Sequence, residues 1–416
     1  MKKLKFWSMI MLMAMSLPLM ISCGGGDSGD ESSVPPSEYP DNPDPYDVLN
    51  FKDLQVAAIC VANFDLNKDG KITYAEAAAV KEIGNVFRGS NIVKFDELRY
   101  FSSLSKIVNT AFGGCENLTS ITIPNSVKGI GLAAFENCKG LTSIIIPNSV
   151  TTLGVYVFHH CENLASVTIG SGVKEIHSFG TTPNLSAIIV DKGNTVYDSR
   201  DNCNAVIETA TNKLIRGCKN TVIPNGVTTI GLSAFSVCYN LKSINIPNSV
   251  SSIEANAFNS CDNLATITIP NGVTSIESET FYGCHSLTSI AIPNSVTSIG
   301  SGAFQGCRSL TSIPIPSGVT FIGNEAFKNC KSLTSITIPS GVTSIGYAAF
   351  ADCSSLTSVH CKSKTPPSLI VRAGSDYKPV FDENTYSSAT LYVPQGSVEA
   401  YKSAEEWKKF QKIVEE

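Results

Sequence analysis

From Cys115 onward the chain repeats one phrase every 23 residues: Cys-x-x-Leu-Thr-Ser-Ile-x-Ile-Pro-x-Ser/Gly-Val-Thr-Ser-Ile-Gly-x-x-Ala-Phe-x-x. Cys115, Cys138 and Cys161 keep that spacing, and so do Cys238, Cys261, Cys284, Cys307, Cys330 and Cys353. A fixed period of this size predicts a solenoid, in which each repeat buries its apolar side chains only against its neighbours. Such a body presents a long flank rather than a deep catalytic pocket, which favours a binding role.

Alternation sets the inside and outside of each coil. Leu118, Ile121 and Ile123 have the L-x-x-L-x-L spacing of a leucine-rich repeat. Ile121 and Ile123 then face inward while Ser120 and Thr122 face outward from a parallel strand. Pro124 ends that strand because it has no N–H to give to a ladder. Val127, Ile130 and Gly131 make a second short segment, and Ala134-Phe135 plugs the far side. The plugs run through Phe112, Phe135, Phe158, a degenerate Phe179, Phe235, Phe258, Phe281, Phe304, Phe327 and Phe350. Roughly ten coils, with strands about 4.8 Å apart, span on the order of 50 Å. The predicted fold is a leucine-rich-repeat solenoid, a right-handed coil with a parallel β-sheet, preceded by a small α-helical EF-hand-like unit.

The step from Phe179 to Phe235 exceeds one period, which places an insert at about 188–220. Its centre reads as two strands around the turn Thr209–Asn212, an inserted hairpin expected to stand off the solenoid edge. If Val206 faces Ile215, then Cys203 faces Cys218, a possible disulfide. The solenoid is expected over 96–361 and a C-terminal cap over 362–416. That cap combines a strand at 389–393 with a short helix carrying Tyr401, Trp407, Phe410 and Ile413 on one face.

Residues 48–95 surround one motif. Asp65, Asn67, Asp69, Gly70 and Glu76 match the calcium-loop pattern D-x-[DN]-x-[DN]-G-x5-E at every specified position. Calcium takes hard oxygens, so Asp65, Asn67, Asp69, the Lys71 carbonyl, Thr73 and a bidentate Glu76 form the predicted ligand set. The expected cofactor is a structural Ca2+ that locks the two flanking helices. The competing reading is an acidic helix–turn–helix that binds nothing, and the lone loop argues against a paired sensor.

At the N-terminus, Lys2, Lys3 and Lys5 precede an apolar stretch from Phe6 to Ile21, then Ser22-Cys23 and three glycines. Residues 1–22 resemble a bacterial lipoprotein signal, which implies lipidation of Cys23; an ordinary secretory signal is the alternative. Residues 23–47, rich in Gly, Ser, Asp and Pro, read as a flexible tether. Asp27, Asp30 and Glu31 resemble an acidic tract that directs lipoproteins of some Gram-negative anaerobes to the outer face.

The IPxSVTSIGxxAFxxC core is similar to the BspA-like (Treponema pallidum-type) leucine-rich repeat family over about 96–361. That resemblance implies a surface-exposed outer-membrane lipoprotein that adheres to a host matrix or cell-surface protein, or to another bacterial surface. It implies no catalytic residues. The sequence independently offers none: no G-x-S-x-G, H-E-x-x-H or phosphate-cradling glycine loop is present, and of the five histidines the adjacent His159 and His160 sit in the loop after the plug Phe158 while the other three stand apart. A formal charge of −5 without basic stripes makes the chain a poor candidate for nucleic acid or anionic membrane surfaces, so no nucleic-acid partner is expected and membrane contact would come only through the N-terminal lipid. One cysteine per coil makes a ladder of buried thiols acting as small hydrophobes, not a tetrahedral metal cluster.

The candidate binding face is the outward strand row Ser243, Asn245, Thr266, Thr268, Ser289, Ser312, Ser335, Thr337, Ser358 and His360, neutral and rich in hydroxyls. These residues either contact a partner or merely solvate a sheet. Two functions are expected from the sequence: an adhesin or protein-interaction scaffold first, and a glycan-binding surface lipoprotein for nutrient capture as the alternative.

Overall fold

The structure is a computed structural model that describes residues 40–370 and 379–416, so Cys23 and the proposed leader lie outside the described residues. The solenoid and its two caps occupy the unit Asp44–Glu416.

Most repeats form one coil carrying two short strands, whereas the coils that begin at Cys284 and Cys307 keep only the second as a strand, at Ser298–Ile299 and Phe321–Ile322. In the first row Ser143–Ile146, Ser166–Ile169 and Ala187–Val190 pair parallel, with Ile144 beside Val167 and Val167 beside Ile188. In the second row Ser275–Ile276, Ser298–Ile299, Phe321–Ile322 and Ser344–Ile345 pair parallel in the same way. Partners such as Ser275 and Ser298 are one repeat apart, so the sequence period sets the register. A slip of one residue would turn every inward isoleucine to water. A third strip of hydrogen bonds ties the plug loops: Phe304 N–H donates to the Ala326 carbonyl at 2.7 Å and Phe327 N–H to that of Ala349 at 2.8 Å.

The plug phenylalanines stack along the interior. From Phe235 to Phe350 successive ring centroids lie 5.2–5.6 Å apart with planes within 13° of parallel. The stack reaches further than the repeat pattern implies: Phe87 joins below Phe112 at 5.5 Å, and Phe381 joins above Phe350 at 5.1 Å.

The coil thiols are more than filler. Cys307 Sγ donates to the carbonyl of Phe281, one coil earlier, at 3.2 Å, and Cys330 does the same to Phe304 at 3.2 Å. The pattern holds for Cys138, Cys161, Cys261, Cys284 and Cys353. Burial raises these thiols, to about 12 for Cys161, Cys284 and Cys353, so they stay protonated at neutral pH. Because the thiolate is the nucleophile and every described cysteine is buried, iodoacetamide should leave them unmodified in the native protein and alkylate them in denaturant. Mass spectrometry checks this; native alkylation of Cys307 would contradict the ladder.

The insert is built into the solenoid rather than standing off it, which corrects the sequence expectation. Val206–Glu208 and Lys213–Arg216 do pair antiparallel around the expected turn, and Tyr197–Asp198 adds a third antiparallel strand. Lys213–Arg216 then pairs parallel with Thr229–Ile230 and so takes a coil's place in the second row. The reason is burial: Val206, Ile207 and Leu214 are fully enclosed, and only the solenoid interior can enclose them.

A register shift between Val206 and Ile207 sets Val206 opposite Arg216, not Ile215. Cys203 and Cys218 are consequently free thiols, and the possible disulfide is not formed. Cys218 Sγ donates instead to the Asn204 carbonyl at 3.2 Å.

This insert is also a seam, because the apolar core divides there into two clusters, one rich in residues before 190 and one running from Cys203 to Phe410. Arg216, 4% exposed, crosses the seam with 3.3 Å bonds to the carbonyls of Gly180 and Ser236.

Both ends of the solenoid are closed. At the start, Val56, Cys60, Ile72 and Ala77 of the helical unit share one cluster with Phe87, Phe95 and Phe101. At the finish, the expected single helix is three pieces: helix Val398–Ser403, a 3-10 turn Trp407–Lys409, and strand Lys412–Glu415. That strand pairs parallel with Thr390–Val393, so Ile413 sits beside Leu391 in a sheet. An uncovered sheet edge carries unpaired backbone groups, and satisfying them outweighs the helical spacing of Trp407, Phe410 and Ile413.

Candidate functional site

Two features are candidates for function: the calcium-type loop and the outward face of the first strand row.

The loop joins helices α1 (Leu54–Phe64) and α2 (Tyr74–Ala79). Asp53 caps α1 by accepting from Gln55 N–H at 2.8 Å, and Thr73 with Glu76 forms a capping box on α2. Between them Asp65 accepts from the backbone N–H of Lys68 at 2.7 Å and of Gly70 at 2.8 Å. Asn67 and Asp69 accept from the N–H groups of Asp69 and Lys71 at 2.8 and 2.9 Å. Gly70, with φ of +82°, supplies the bend that an L side chain would resist.

Burial raises the Glu76 carboxyl, but hydrogen bonds from the Thr73 backbone and hydroxyl, Asn67 and Leu66 outweigh it and hold the group below the ordinary glutamate value. All the side-chain donors in the set are hard oxygens, which suits Ca2+ and no soft metal. In this structure those oxygens address the loop's own N–H groups, and among the described residues no three His, Cys, Asp or Glu side chains converge as a metal site. The sequence did not reveal what completes the lone loop. Leu49 N–H donates to the Ile72 carbonyl at 2.7 Å and Tyr74 N–H to that of Asp47 at 3.1 Å, so the preceding segment covers the edge a second loop would occupy.

Where the first row pairs, its outward residues line up as the alternation predicts, but Ser289 and Ser312 lie outside any strand, and Pro314 near Ser312 has no N–H to give to a ladder. Ser243 lies beside Thr266, Thr268 beside Ala291, Ser335 beside Ser358 and Thr337 beside His360. Ser243, Asn245, Thr266, Thr268, Ser289, Ser312 and Thr337 are exposed, whereas Ser335, Ser358 and His360 are half-buried. Neighbouring threonines are committed: Thr334 Oγ1 donates to the Thr311 carbonyl at 3.5 Å and Thr357 Oγ1 to that of Thr334 at 3.2 Å. The hydroxyls of the candidate row make no hydrogen bond within the described residues, so they remain free for a partner.

Sequence reasoning missed the row's ends. Tyr392 pairs in register beside His360, and their rings stack at 4.4 Å and 5°. Alternation along 389–393 could have placed Tyr392 outward, but the break at Pro366-Pro367 sets that strand apart from the repeats in the sequence. Glu416 holds His360 at 2.7 Å and Lys362 at 2.5 Å, and those partners lower its carboxyl despite burial, which raises it. At the opposite end Asp96 accepts from Ser120 Oγ at 3.0 Å and Arg99 donates to Thr122 Oγ1 at 3.1 Å, beside the exposed Ile145.

Two ribbons of parallel strands, a repeat-locked register and a stacked interior define a leucine-rich-repeat solenoid. The chain belongs to the BspA type leucine rich repeat family, whose model matches residues 81–204, 212–333 and 274–366. Among solved structures it is similar to the pneumococcal vaccine antigen PcpA, at 18% identity over 76% of this chain and 78% of that one, with a TM-score of 0.53. It is also similar to a leucine rich cell surface protein from Faecalibacterium prausnitzii, at 26% identity over 70% and 83% of the two chains with a TM-score of 0.44. A leucine-rich repeat protein from Eubacterium ventriosum shares 22% identity over 71% and 86%, with a TM-score of 0.49. No curated protein matches. Among the described residues no helix is long and apolar enough to cross a membrane.

Proposed function

We propose that this chain is a cell-surface lipoprotein whose solenoid acts as an adhesin or interaction scaffold for a protein partner. The partner is a host matrix or cell-surface protein, or a protein on another bacterial surface. One observation carries the reading: the row from Ser243 to Ser358 keeps its hydroxyls uncommitted while the adjacent threonines engage theirs in inter-coil bonds. Extended rows of exposed donors and acceptors suit a large, shallow interface. Lipid on Cys23 and a tether over 23–47 would hold the solenoid away from the membrane.

The test is binding of the chain to immobilised matrix proteins beside a glycan array. Thr266→Arg with Ser312→Arg, both on the exposed row, should weaken protein binding at least tenfold. Binding to glycans alone, or binding indifferent to both substitutions, would overturn the reading.

The loop is proposed to take Ca2+ through Asp65, Asn67, Asp69, the Lys71 carbonyl, Thr73 and Glu76, stiffening the cap on the first coil. Calcium at a hundred times its Kd should then stabilise the fold by about 2.7 kcal/mol. Titration calorimetry should give heat that Asp65→Ala abolishes, and unchanged heat in that variant would refute the ligand set.

A further inference from the structure

A surface built from near-identical coils presents the same chemistry again and again, so it has little with which to discriminate partners. The insert breaks that monotony beside the strand row. It raises a wall next to Thr168 and Ile189, two neighbours on the outward face, and encloses a cleft of about 560 Å³.

The wall is rigid. Ser199 Oγ accepts from Val190 N–H at 3.0 Å, pinning it to the row. Arg200 forks onto Asp198, with Nε to Oδ1 at 2.8 Å, and reaches Asn212 Oδ1 at 2.8 Å. Asn194 clips the base by donating to the carbonyls of Gly170 and Val173 at 3.0 and 2.9 Å. Asp201 and Asn202 take left-handed φ of 56° and 50°, and the fixed frame around them holds that conformation.

Groups not used by this frame line the cleft. Lys192, Asp201, Asn202 and the Thr168 hydroxyl make no side-chain hydrogen bond or ion pair within the described residues. Asp191 commits one oxygen to Gly193 N–H at 2.8 Å. Ile189, 50% exposed, gives an aliphatic surface. Asp198 is matched by Arg200, which leaves two carboxylates, Asp191 and Asp201, against one ammonium.

We propose that this cleft is the specificity site of the scaffold and receives a lysine or arginine side chain projecting from the protein partner. Its alkyl stem lies along Ile189 and Thr168, as long basic side chains do on apolar surface, while its cation meets Asp191 and Asp201. Asn202 and Lys192 address the flanking peptide carbonyls. This assignment rests on the protein-binding reading above and adds the chemistry that is recognised.

The probes are immobilised blocked nonapeptides of Gly and Ser with a central Arg, Lys, Ser or Glu, tested against the full chain. Arg and Lys peptides should bind at least tenfold more tightly than Ser or Glu peptides, and raising salt from about 50 to about 500 mM should erode the difference. Asp191→Asn with Asp201→Asn, folded as the parent by circular dichroism, should remove the preference, whereas the exposed control Glu399→Gln should leave it intact. Equal binding of all four peptides, or a preference surviving the double substitution, would overturn the proposal. If matrix proteins still bind the double variant and lose binding only with Thr266→Arg and Ser312→Arg, this inference fails while the scaffold reading stands. If no protein binds the parent chain, the scaffold reading fails first.

Discussion

Phe304→Ala should lower the stability of the solenoid by about 3–5 kcal/mol, the range for deleting a buried phenylalanine. The ring is fully buried between Phe281 and Phe327, each 5.4 Å from it. Two stacking contacts, each worth about 0.5–1.5 kcal/mol beyond buried area, disappear with it. The neighbouring coils cannot close the gap, because their spacing is fixed by hydrogen bonds on three sides, including Phe304 N–H to Ala326 and Cys330 Sγ to the Phe304 carbonyl. Stability in a repeat array is a sum of coil and nearest-neighbour terms, so the damage falls at one interface. Urea denaturation should change from one transition toward two as the coils on either side uncouple. Ser312→Ala, on the exposed row of the same region, should shift stability by less than about 0.5 kcal/mol. A loss below about 1 kcal/mol for Phe304→Ala would mean that the stack contributes little.

The period made the coil legible because one repeat length fixes both which residues face inward and which strands pair. Ile144 beside Val167, or Ser298 beside Phe321, follows from that spacing alone. The cysteines were legible as buried residues but not as donors, because their acceptors are carbonyls one coil away that no local pattern reveals. The insert was half legible. Its turn was visible in Thr209–Asn212, yet the irregularity between Val206 and Ile207 has no sequence signature, and it moves Cys203 and Cys218 off the register that would bridge them.

The tail misled for a different reason. Tyr401, Trp407, Phe410 and Ile413 have helical spacing, but the open edge of Thr390–Val393 draws the last of them into a strand, an override of local pattern by tertiary context. Of the candidate sites, the position of the loop between two helices and the outward side of the paired strands could be read from the sequence. The bridge from Val48 to Thr73 that covers the loop and the stacked Tyr392 could not, since both depend on where the chain returns in space.

Trp407→Ala should open the C-terminal end of the solenoid and make it self-associate. Trp407 is 1% exposed, its Nε1 donates to the Pro367 carbonyl at 2.8 Å, and its ring packs on Phe381 at 5.9 Å and Tyr401 at 5.3 Å. Removing it costs about 3–5 kcal/mol locally, more than a short turn and one terminal strand can absorb. Lys412–Glu415 then leaves the sheet and uncovers the edge of Thr390–Val393. That edge belongs to a parallel sheet running back through Ser358–Cys361 and Ser335–Ile338, so what is exposed is a paired, rigid template for another chain. Trp407→Phe separates the two contributions: it keeps an aromatic ring in the pocket and gives up the N–H bond, at a cost of about 1 kcal/mol. Light scattering should show the alanine variant growing with concentration while the phenylalanine variant behaves as the parent. Hydrogen exchange should lose protection at 390–393 in the alanine variant first, before the coils below 361 respond. If protection at 390–393 and the scattering mass of Trp407→Ala both match the parent, the tail is not what closes this end. The Glu416 bonds to His360 and Lys362 would then have to hold the last strand in place by themselves.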